Sequence, residues 1–135
     1  MVALSSFTFG TRLAGTVAEN RPRVEAALKA EGFGILTEID FAGAMQAKLG
    51  IERPALVILG ACNPPLANRA VSANPSVAAL LPCNVVLRAD GDGTVVEAMD
   101  PAAVLGLIDD PAVHDIASDA RARLERAVAA LDAAS

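Results

Sequence analysis

At 135 residues the chain has the length of one domain, 1–135, and its 53% hydrophobic content is ample for a core. A net charge of −5, with no run of Lys and Arg interleaved with aromatics, argues against binding along a phosphate backbone, so nucleic acid is not an expected partner. The best apolar run, Ala55 to Cys62, falls far short of the about 20 residues of a membrane helix, and Met1–Leu4 is too short for a signal-peptide core. The expectation is a cytoplasmic protein with no membrane segment, whose two cysteines stay reduced.

Ser6 to Leu13 partly alternates apolar and polar residues and predicts a half-buried strand. Asn20 and Pro22 mark a helix start, because Asn caps free amides and Pro suits a first turn; Gly32 ends that helix. Gly34 to Ile39 predicts a second strand, and Asp40 caps a short helix running through Leu49 to Gly50. Pro54 to Ala61 is a continuous apolar strand, expected to be buried on both faces or nearly so. Asn63-Pro64-Pro65 opens a helix through about Val71, Asn74-Pro75 breaks it, and Val77 to Leu81 finishes as a helical turn. Cys83 to Arg88 and Thr94 to Met99 read as strands joined by the hairpin turn Asp90-Gly91-Asp92-Gly93. Asp100-Pro101 starts a helix to about Ile108, and Asp110-Pro111 starts the last one. That last helix has Val113, Ile116, Ala120, Leu124 and Val128 on one face and Asp119, Arg123 and Arg126 on the other. The order is that of a mixed α/β or α+β domain. Leu56, Ile58, Leu59, Val85, Leu87, Val95, Leu124 and Val128 are its expected core.

The chain is poor in chemistry, with one histidine, no tryptophan and no tyrosine. Cys62 and Cys83, each followed by an asparagine (Asn63, Asn84), stand at the end of one predicted strand and the start of another. If those strands are antiparallel neighbours, the two thiols come within reach of each other, since opposed Cα atoms lie about 4.5–5.5 Å apart and a disulfide needs about 4.4–6.8 Å. A parallel crossover would separate them. Cys62 also precedes a helix start, where the dipole favours a thiolate. Cys62 and Cys83 are therefore the candidate catalytic residues, and Asn63, Asn84, Glu38 and Arg69 the candidate ligand-binding ones. The plain alternative is that both cysteines are small core residues.

No metal site is assigned. Two cysteines and His114 give at most three soft ligands, no Cys-x-x-Cys is present, and His114 belongs on a helix flank. Glu38 and Asp40 share one face of a strand and form a conceivable acid–base pair, with Asp40 as a helix cap the favoured reading. Asp90-Gly91-Asp92-Gly93 resembles a calcium loop only faintly, lacking the later glutamate. Two function classes follow: a pocket holding a small ligand, metal or sulfur species without turnover, and a thiol-dependent redox or sulfur-transfer enzyme. The cofactor is unknown. A homodimer is expected, because sheet edges need cover and two-fold dimers are the commonest assemblies.

Three motifs extend these readings. Gly32-Phe33-Gly34-Ile35-Leu36-Thr37-Glu38-Ile39-Asp40, Leu59-Gly60-Ala61-Cys62-Asn63-Pro64-Pro65-Leu66-Ala67 and Leu80-Leu81-Pro82-Cys83-Asn84-Val85 resemble the domain of unknown function 302 (DUF302) family over nearly the whole chain. The resemblance implies a compact α+β fold similar to the TATA-binding-protein type, with a curved, mostly antiparallel sheet backed by helices. It implies no DNA binding and no agreed activity. It also implies a histidine or aromatic where this chain has Asn68, a departure that removes one conceivable ligand.

Overall fold

The computed structural model describes residues 1–134. The strands are β1 (Val2–Ala3), β2 (Thr8–Ala14), β3 (Gly34–Asp40), β4 (Leu56–Cys62), β5 (Cys83–Asp90) and β6 (Gly93–Met99). The helices are α1 (Val17–Ala30), α2 (Phe41–Leu49), α3 (Pro64–Ala73), α4 (Pro101–Leu105) and α5 (Pro111–Ala134), with a 3₁₀ turn over Pro75–Leu80. All six strands join one sheet in the order β1-β2-β6-β5-β4-β3, and every neighbouring pair is antiparallel. This is an α+β domain with α1 and the C-terminal half of α5 packed on one side of the sheet.

Local chemistry explains most boundaries. In α1 the Thr16 hydroxyl accepts from the Glu19 amide at 3.1 Å while the Glu19 carboxylate accepts from the Thr16 amide, a reciprocal capping box. The helix thus begins before Asn20, which is not its cap. Asn20 is buried within the first turns, its side-chain amide donating to the carbonyls of Ala14 and Thr16. At the other end Gly32 takes φ +87°, and the amides of Gly32 and Phe33 close back onto Lys29 and Leu28. Asp40 caps α2 through the Gly43 amide at 2.9 Å, and Gly50 ends it. The β5–β6 hairpin has Asp90 opposite Gly93, with Gly91 at φ +60° as its first turn residue. Asp90 and Asp92 both bind Arg12, each at 3.0 Å, so an arginine answers the two carboxylates read as a faint calcium loop.

Two clusters fill the interior. The larger lies between the sheet and α1 with the C-terminal half of α5, around Phe9, Leu13, Leu59, Val85, Leu87 and Leu124. The smaller joins α3, the 3₁₀ turn and α4 to the N-terminal half of α5, around Leu66, Val77, Leu105, Val113 and Ile116. The stripe on α5 therefore serves both. Six of the eight expected core residues are buried: Leu59, Val85, Leu87, Val95, Leu124 and Val128.

Leu56 and Ile58 are only half-buried, which corrects the expectation that β4 is covered on both faces. Alternation puts them opposite Leu59 and Ala61, on the side that the α1–α5 layer does not cover. Polar side chains share that side: Glu97 accepts from Thr8 at 2.6 Å and from Arg88 at 3.1 Å. The helix after Asp100 is also shorter than expected, ending at Leu105.

Candidate functional site

β4 and β5 are paired with Ala61 opposite Cys83 and Gly60 opposite Asn84. Cys62 is one residue further along, the last of β4, and leads into α3. Antiparallel pairing thus brings the two cysteine positions to the same end of neighbouring interior strands. Gly60 is needed there, because a Cβ on it would stand 2.1 Å from the Thr37 hydroxyl and 2.7 Å from the Pro82 ring. Both thiols are free.

Cys62 and Cys83 line one cavity of about 30 Å³, together with Phe33, Ala61, Asn63, Leu66, Pro82, Leu105, Ile116 and Ala120. Phe33, Ala61 and Cys83 belong to the sheet cluster; Leu66, Leu105, Ile116 and Ala120 belong to the helical one. The cavity is the seam between the two. Its lining contains no charged side chain. Asn63 spends its polar atoms locally, accepting from the Leu66 amide at 3.3 Å and donating to the Glu31 carbonyl at 3.5 Å. Among the described residues, no buried side-chain nitrogen or oxygen lacks a partner.

Burial pushes the Cys62 thiol up from its ordinary value. Cys83, more deeply buried, is pushed up to about 11 by burial first and by the neighbouring Cys62 second. Both are neutral thiols near pH 7. The expected thiolate at Cys62 finds no support, for a reason visible in α3. Pro64 and Pro65 occupy its first positions and carry no N–H, and the next amides, of Leu66 and Ala67, are taken by the Asn63 side chain and carbonyl. The helix start offers sulfur no free donor.

The other candidates are dispersed. Asn84 follows Cys83 by one residue, so its side chain turns to the opposite side of the sheet, in an open depression with Phe7, Glu97 and Met99. Glu38 is held by Arg21, at 3.0 Å to the guanidinium Nε, and lines no part of the cavity. Asp40 is occupied as the α2 cap. Arg69 is exposed on α3 and also absent from the lining. His114 is exposed, its Nε2 2.5 Å from the Ile108 carbonyl. Among the described residues, no three His, Cys, Asp or Glu side chains converge as a metal site would require. The walls supplied by Phe33, Pro82, Leu105, Ile116 and Ala120 were not expected as site residues. Ile116 and Ala120 were visible only as part of an apolar helical stripe.

No helix is long and apolar enough to cross a membrane among the described residues. No curated protein matches the chain. Among solved structures, the chain is similar to an uncharacterized conserved DUF302 protein from Bacillus stearothermophilus. The two share 31% identity over 93% of this chain and 98% of that one, with a TM-score of 0.85. The model of the family described as "Domain of unknown function DUF302" matches residues 9–131. With the fold, the family model and a full-length structural relative in agreement, the chain belongs to the DUF302 family.

Proposed function

We propose that this protein binds a small, uncharged, soft or apolar molecule in the cavity beside Cys62 and Cys83, without turning it over. The observation that carries this reading is the lining itself: two neutral thiols among apolar walls, with no charged group and no spare polar atom. A phosphate or carboxylate would enter such a site unpaired, at a large desolvation cost. At about 30 Å³ the cavity is far below the roughly 300–1,000 Å³ of pockets for drug-sized molecules, so its occupant is small unless the seam parts. A cytoplasmic location keeps the thiols reduced. The likeness to the TATA-binding-protein type is part of this proposal and concerns shape alone.

The test is titration with dimethyl sulfide, followed by amide chemical shifts, with acetate as a charged comparison. Saturable shifts confined to residues 61–67, 81–83 and 116–120 are expected with dimethyl sulfide and not with acetate. No saturable change there, or an equal response to acetate, would overturn the reading.

A second reading rests on the two thiols sharing one cavity wall. Hydrogen peroxide would take two electrons and two protons from Cys62 and Cys83, giving one disulfide and two waters. Raised thiol pKa values make that step slow near neutral pH, because the thiolate is the nucleophile. Thiol titration of the native protein before and after peroxide measures it: loss of both thiols within one chain supports the step, and two intact thiols remove it.

A further inference from the structure

We propose that a second copy of this chain docks on β3 and α2, joining the two sheets edge to edge about a two-fold axis. β3 is hydrogen-bonded to β4 on one side only and ends the sheet. From Gly34 to Ala55 not one residue is buried, although the segment is regular strand and helix for most of its length. It carries large apolar side chains in the open: Leu36 is 67% exposed, Ile39 49%, Leu49 63% and Ile51 50%. The opposite edge, by contrast, is a two-residue strand, a common way of blunting an edge against pairing.

Size and charge point to a copy of the same chain. The segment from Gly34 to Ala55 has 22 residues, and a stable interface takes roughly 20–30 from each partner. It holds three carboxylates (Glu38, Asp40, Glu52) against two cations (Lys48, Arg53), a net of −1 on a chain of −5. Glu38 is already answered by Arg21, while Lys48 and Glu52 make no ion pair among the described residues, so both signs can meet their opposites across the axis. An antiparallel strand pair is self-complementary, as a two-fold contact requires. The extra residue Leu36, at the irregularity in the β3–β4 register, leaves Thr37–Asp40 as the regular stretch for pairing.

Light scattering from micromolar to near-millimolar protein reads the outcome. The parent chain is expected at twice the chain mass, and Ile39→Lys and Leu49→Lys at the single mass with unchanged circular dichroism. Leu107→Lys, at an exposed leucine outside the segment, should stay at twice the mass. Hydrogen exchange of the parent needs no variant: those amides of Thr37–Asp40 that point away from β4 should lose protection on dilution. A single mass at every concentration, a dimer that survives both lysines, or β3 exchange independent of dilution would overturn the proposal.

Discussion

Cys83 and Cys62 differ by exposure rather than by activation. Cys83 is buried and Cys62 half-buried. Cys62 is therefore expected to react first with iodoacetamide, and both to react more slowly than a free peptide thiol. Mass spectrometry of a labelling time course checks the order, and equal rates would contradict it. Burial also couples Cys83 to stability. The unfolded thiol loses its proton near its ordinary 9.0, while the folded one holds it to about 11. The stabilisation is full below pH 9 and is lost as pH rises toward 11, because the unfolded chain then binds fewer protons. The loss should be on the order of 3 kcal/mol, and Cys83→Ala should flatten it. Urea midpoints of both proteins at several alkaline pH values test this; parallel curves would show that the thiol contributes nothing.

At the scale of the element, caps decide where this chain starts and stops. Asn20-x-Pro22 looks like a helix start, yet the capping box of Thr16 and Glu19 satisfies the exposed amides one turn earlier. Asn20 is then free to tie the end of β2 to α1 through Ala14. Thr16→Ala should cost about 1 kcal/mol, since it removes the acceptor of the Glu19 amide. Chemical denaturation measures it, and no change in midpoint would show the box idle. The double proline of α3 works differently. It starts the helix well but strips it of the donors that a thiolate at Cys62 would need.

At the scale of the molecule, α5 holds the two clusters together. Leu124 packs in the sheet cluster, while Val113 and Ile116, two to three turns earlier, pack with α3 and α4. Ion pairs add to the attachment: Arg126 meets Glu31 at 2.8 Å and Arg121 meets Asp100 at 2.6 Å. Leu124 is fully buried, so Leu124→Ala should lower stability by about 2–5 kcal/mol. The midpoint of thermal or urea unfolding reads the change, and a parent-like midpoint would mean that α5 does not seat on the core as described.

Local signals in the chain marked strands over Ser6–Leu13, Gly34–Ile39, Pro54–Ala61, Cys83–Arg88 and Thr94–Met99, each within two residues of the observed bounds, together with the β5–β6 turn, the Asp40 cap and the apolar stripe of α5, because each depends on a few neighbouring residues. They also marked Cys62 and Cys83 as strand-end neighbours, provided that the strands were antiparallel. Only the tertiary structure decided that they are, and that Ala61 rather than Cys62 stands opposite Cys83. It also decided that Asn84, Glu38 and Arg69 fall outside the cavity, while α4 and α5 bring Leu105, Ile116 and Ala120 into it. Burial was legible where periodicity alone governs it. It was misread for Leu56 and Ile58, because a run of apolar residues does not state whether helices cover one side of a sheet or both. Side-chain periodicity is set along the chain, whereas the walls of a cavity are set by packing between elements distant in sequence.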